Sequence, residues 1–95
     1  MINPVSFKSK YVVKMQNYDA CDSVKFWNFR NFATNIVNSY DNCRANYFFE
    51  TKDEPPYLYD GCIELIVPDK KDCLVEKYCN CYGIQYTKHK KDPQD

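Results

Sequence analysis

The chain has 95 residues, with 13 Lys+Arg against 13 Asp+Glu, a single histidine, and 17% aromatic side chains. That length makes one domain, residues 1–95, with a modest core. A formal net charge of +0 without an RNP-like or finger motif excludes the usual nucleic-acid signatures, and no apolar run is long enough for a transmembrane helix.

Residues 1–9 read as a loose start, because Pro4 bars early helix. Met1-Ile2-Asn3-Pro4 has no apolar leader, so the expectation is a mature chain with an added Met1. Lys10 to Met15 alternates, with Tyr11, Val13 and Met15 on one side, and predicts a strand. Asp19, Asp22 and Ser23 are candidate caps for the helix that follows. Phe26, Phe29, Ala33, Ile36, Tyr40, Cys43 and Tyr47 recur in steps of three and four. That spacing predicts one amphipathic helix from Asp22 to Tyr47 or Glu50, with a weak point at Asp41-Asn42.

Thr51 to Pro56 is a polar, proline-ended stop. Tyr57 to Val67 predicts a second strand, with Ile63, Leu65 and Val67 on one face. Pro68 to Asp72 is a turn, and Cys73 to Tyr86 predicts a third strand, making a hairpin over 62–86. The tail is charged, and 88–95 is expected to be loose. The fold class is therefore α+β: one long helix on a small antiparallel sheet, in β-α-β-β order.

Cys21, Cys43, Cys62, Cys73, Cys79 and Cys81 give an even count in a short chain. Three disulfides stapling a small core, and hence a secreted, extracellular protein, are the expectation. No CxxC pair is present, which argues against a ribbon-type zinc site. On a strand, Cys79 and Cys81 would share a face roughly 7 Å apart, too far for a direct bond. Cys43 is thus expected to pair with Cys79 or Cys81, with Cys21 the next candidate for the same strand. The order strand, helix, strand, strand, closed by Cys79-Asn80-Cys81-Tyr82-Gly83, resembles the cysteine-stabilised αβ scaffold of scorpion toxins and defensins over residues 60–83. The chain departs from that scaffold in having only Cys43 in its helix, and in placing Gly61 directly before Cys62.

Chemistry-bearing patterns are sparse. His89 stands in Lys88-His89-Lys90-Lys91, a solvated charge cluster, and Asp53-Glu54 precedes Pro55-Pro56 in a loop. No nucleophile elbow, metalloprotease motif or phosphate loop occurs, so neither an enzyme nor a cofactor is expected. The aromatic surplus serves a core, a partner-binding surface, or a pocket lined by Phe26, Trp27, Phe29 and Phe32. The expected partner-binding residues are Tyr57, Tyr59, Tyr82 and Tyr86, with Lys88, Lys90 and Lys91 beside them. The functional expectation is a secreted, monomeric, non-enzymatic protein of venom, saliva or parasite type that binds and inhibits another protein. The alternatives are an ion-channel modulator acting through the tail lysines, and a carrier of a small apolar ligand.

Overall fold

The computed structural model describes residues 8–18 and 23–91. β1 (Lys8–Tyr18) leads to α1 (Val24–Ser39), β2 (Arg44–Thr51) and β3 (Tyr59–Pro68). A 3-10 turn over Asp69–Lys71 then opens α2 (Asp72–Tyr82), and β4 (Thr87–Lys91) follows. The strands form one antiparallel sheet in the order β2-β3-β1-β4. Since β3 is antiparallel to both β1 and β2, those two are parallel, with β3 inserted between them. This is the split βαβ arrangement of ferredoxin-like topologies. That topology hosts unrelated activities, so function has to be argued from side chains.

Strand alternation places Ser9, Tyr11, Val13 and Met15 of β1 beside Ile63, Leu65 and Val67 of β3 on one face, all buried. α1 lays Phe26, Phe29, Ala33 and Ile36 on that face, and α2 adds Val75 and Cys79. The two helices meet where Phe32 stacks on Tyr78, ring centroids 4.0 Å apart, and where the Tyr78 hydroxyl donates to the Asn28 carbonyl at 3.1 Å. Neither helix covers the opposite face, which carries Lys10, Val12 and Lys14 of β1, Cys62, Glu64 and Ile66 of β3, and Arg44, Asn46, Phe48 and Glu50 of β2.

The single long helix does not form. α1 ends at Ser39, and Asn42 takes φ 63, a left-handed conformation that asparagine tolerates and a helix does not. The chain then runs on as β2, because Ala45, Tyr47 and Phe49 also alternate and Tyr and Phe favour strands. The C-terminal hairpin does not form either. Residues 72–82 are helical, with Val75, Cys79 and Tyr82 at steps of four and three, and Gly83 closes the helix in the left-handed region at φ 64. The tail is not loose through residue 91: β4 pairs with β1 from Thr87 opposite Val12 to Lys91 opposite Lys8. Lys8 and Ser9, expected in the loose start, already belong to β1.

The disulfide staples are corrected as well. Among the described residues Cys43, Cys62, Cys73, Cys79 and Cys81 are all unbonded thiols, and Cys21, Asp19 and Asp22 lie outside the described residues. The physical reason is separation. Cys43 sits in the α1–β2 turn and Cys62 on the sheet face away from the helices, while Cys79 points into the core and Cys73 and Cys81 are exposed on α2. With Cys79-Asn80-Cys81 on a helix, the likeness to the cysteine-stabilised αβ scaffold is lost.

Candidate protein-binding edge

Lys88 and Lys90 do not form a free basic patch. Lys88 Nζ donates to Glu76 at 2.7 Å and lies 3.2 Å from Asp72, and Lys90 Nζ donates to Asp72 at 2.9 Å. From β1, the Ser9 hydroxyl donates to Asp72 at 3.0 Å and the Tyr11 hydroxyl to Glu76 at 2.6 Å. Asp72 Oδ2 takes all three of these partners, while Oδ1 is buried without one among the described residues. The sequence sets this up: Ser9 and Tyr11 pair with Lys90 and Lys88, so the four side chains share one sheet face beneath α2.

The electrostatics of this cluster are those of a clamp. Burial opposes charge on Asp72, but hydrogen bonds from Lys90, Ser9 and Lys88 outweigh it and hold the carboxyl below its ordinary value. The Lys88 and Tyr11 hydrogen bonds lower Glu76, and the Glu76 hydrogen bond raises Lys88. Burial, reinforced by donation to Glu76, pushes the Tyr11 hydroxyl far up. Every group is driven towards the state it already holds near neutrality. A general acid or base needs the reverse, a proton that can leave or arrive near the working pH. The cluster fixes α2 over β1 and β4.

The expected tyrosines divide. Tyr86 is half-buried against Tyr11 at 5.4 Å, and Tyr59 is half-buried and stacked on Phe49 at 5.3 Å. Tyr82 ends a ladder on Tyr78 at 4.6 Å and is 54% exposed. Tyr57 is 57% exposed. Its φ of 57 is one that residues with a Cβ rarely adopt, and its N–H donates to the Glu54 carbonyl at 2.9 Å. Lys91 is the last residue of β4, and His89 lies in the same strand rather than in a mobile tail. The residues proposed to line a pocket fill space instead. Phe26 and Phe29 are core, Trp27 is wedged between Phe26 and Phe49, and Phe32 lies on Tyr78.

Three consecutive exposed aromatic residues lie where the spacing predicts a helix. Tyr47, Phe48 and Phe49 of β2 are all exposed, Phe48 at 56%. Among the described residues β2 is an edge of the sheet, hydrogen-bonded only to β3. Lys52, one residue past β2, donates its N–H to the Leu58 carbonyl at 2.9 Å. Antiparallel alternation from that bond turns the even-numbered amides of β2 towards β3, and those of Ala45, Tyr47, Phe49 and Thr51 outward. The outward ladder is flanked by Tyr47 and Phe49 on the helix face and Phe48 on the other. Tyr47 is held in place: its hydroxyl lies 3.0 Å from Thr34 Oγ1, and the Arg30 guanidinium lies over its ring at 5.6 Å.

The two edges of the sheet differ. β4 reads Thr-Lys-His-Lys-Lys, the charged kind of edge that resists pairing with other chains. β2 reads Arg-Ala-Asn-Tyr-Phe-Phe-Glu-Thr, with charge only near its ends. Sequence reasoning missed this edge because Tyr47 extends the three-four stripe of α1. The signal that identifies it is Tyr47-Phe48-Phe49 following the break at Asp41-Asn42. Among the described residues no helix is long and apolar enough to cross a membrane. No protein-family model, no curated protein and no solved structure matches the chain.

Proposed function

We propose that the chain is a non-enzymatic protein-binding domain that docks its partner by strand addition along β2. The observation that carries this reading is the outward ladder of β2, flanked by Tyr47, Phe48 and Phe49 and left without the lysines that guard β4. In strand addition, main-chain hydrogen bonds supply affinity and alternate side chains supply specificity. The edge therefore specifies its partner: an extended segment with an acid opposite Arg44, a base opposite Glu50, and large apolar side chains between them.

A photo-crosslinking residue in place of Phe48, compared with one in place of His89, tests this. Crosslinks concentrated at position 48 and absent at 89 are the expected result. Equal yields at the two positions overturn it.

Action as a secreted inhibitor is the further part of this proposal. Its support is now the small size of the chain, since the described cysteines are unpaired. A thiol count on protein recovered from its native compartment tests it, and six free thiols remove it. A channel modulator working through Lys88 and Lys90 would first have to break their bonds to Asp72 and Glu76.

A further inference from the structure

The segment that the β2 edge specifies is present in the chain itself. We propose that β2 pairs with β2 of a second copy, about a two-fold axis at Tyr47, joining two four-stranded sheets into one. This rests on the reading of β2 as a docking edge and names its occupant.

Parity restricts the register. In a continuous antiparallel sheet, residues facing each other share a face, so even positions must oppose even and odd must oppose odd. A two-fold axis at Tyr47 satisfies this. It sets Tyr47 opposite Tyr47, Ala45 opposite Phe49, Asn46 opposite Phe48, and Arg44 opposite Glu50. The outward amides and carbonyls of Ala45, Tyr47 and Phe49 then meet the same groups of the other copy, giving about six new ladder bonds. Moving the axis by one residue keeps the parity but takes Arg44 and Glu50 out of opposition.

Charge complementarity selects the second copy over other occupants. Arg44 and Glu50 are the only charged residues of β2, and they lie on the same sheet face at opposite ends. Antiparallel self-pairing brings each one opposite its complement, twice per dimer. Neither is engaged in an ion pair among the described residues, so the pairing displaces no existing salt bridge. Tyr47, the axial residue, is pre-positioned by Thr34 and Arg30 and loses little freedom on docking.

Sedimentation equilibrium of charge variants tests the proposal. Arg44→Glu alone and Glu50→Arg alone each place like charges opposite one another twice, and each is expected to weaken self-association at least about tenfold. Mixing the two single variants restores both opposite-charge pairs in a heterodimer, and the double variant restores them in a homodimer. Ala45→Pro removes one outward N–H without touching the β3 ladder, and weakens association independently of charge. Circular dichroism identifies any variant that fails to fold.

A wild-type chain that is monomeric at every concentration overturns the proposal. So does a mixture of the single variants that associates no better than each alone. If crosslinks at position 48 then join a different protein, the docking edge stands and only its occupant is wrong. If position 48 gives no crosslink excess over 89, both readings fall.

Discussion

Gly61→Ala tests the placement of α1 most directly. Gly61 lies in β3 between Met15 of β1 and Phe49 of β2, beneath the ring of Phe26. An added Cβ would stand 2.6 Å from Phe26 Cζ, and 3.0 and 3.1 Å from the two Cε atoms. Carbon atoms prefer roughly 3.5–4.0 Å, so the ring would have to retreat by about 1 Å. It has little room to do so, being buried and held edge-on by Trp27 at 5.4 Å. Overpacking of this kind costs about 1–3 kcal/mol, and the lower chain entropy of alanine returns about 0.4–1 kcal/mol. The net loss of about 1–2 kcal/mol corresponds to a fall in melting temperature of about 5–15 °C for a domain this size. Thermal denaturation followed by circular dichroism reads it. In a Phe26→Leu background the smaller side chain clears the site, and the cost of Gly61→Ala should fall by at least half. A Gly61→Ala protein as stable as the wild type, or one equally destabilised in both backgrounds, would show that α1 does not cross β3 at Gly61.

The clamp beneath α2 predicts a two-sided pH dependence. Asp72 and Glu76 titrate below their ordinary values, so their contribution is present above about pH 4 and is lost as pH falls through the folded-state values. Lys88 and Tyr11 titrate above theirs, so their contribution is present below about pH 10 and is lost as pH rises further. Urea midpoints across the pH range should therefore be highest between these limits. In a variant combining Ser9→Ala, Tyr11→Phe, Lys88→Ala and Lys90→Ala, the acid-side loss should flatten. An unchanged acid limb would mean that the clamp is not formed. The thiols predict a ranking. Burial pushes Cys79 up to about 11, while Cys73 and Cys81 are exposed, so alkylation read by mass spectrometry should label 73 and 81 first and 79 only on unfolding. Cys79 labelled as fast as Cys81 in the folded protein would contradict the helical placement of residues 72–82.

The elements readable in the sequence were those with a single consistent period. Tyr11, Val13 and Met15 alternate, as do Ile63, Leu65 and Val67, and all six are core. Phe26, Phe29, Ala33 and Ile36 step by three and four, and form the buried face of α1. Errors arose where two periods coincided. Cys43 and Tyr47 continue the helical stripe by accident of spacing, whereas Ala45, Tyr47 and Phe49 alternate as a strand does. The deciding feature was local: Asp41-Asn42 marks the end of the helical region, and a left-handed Asn42 cannot lie within a helix. In α2, Cys79-Asn80-Cys81 fits a strand's period, although Val75, Cys79 and Tyr82 carry the helical one. The carboxylates that capture Lys88 and Lys90 lie 12 to 18 residues earlier in the chain, so no local pattern reveals them. The binding edge was hidden for the same reason as β2 itself.

Phe48→Lys separates binding from folding. Phe48 lies on the sheet face that neither helix covers, opposite Cys62 of β3, and more than half of its surface is exposed. The part of Phe48 already buried in the single chain contributes about 1 kcal/mol to folding, and the lysine stem retains some of it, so folding stability should fall by less than about 1 kcal/mol. Association should respond differently. A lysine brings to β2 the guard that β4 already has, and removes the apolar surface that docking would bury. Burying a Phe side chain contributes about 1.5–3 kcal/mol from full exposure. Phe48 begins about half exposed, so about 1 kcal/mol per chain is at stake, or about 2 kcal/mol for two copies. That weakens a dimer by more than about tenfold. The variant should therefore melt within a few degrees of the wild type and sediment as monomer at concentrations where the wild type self-associates. A melting temperature several degrees lower with unchanged association would make Phe48 a core residue, and β2 would cease to be an edge available to partners.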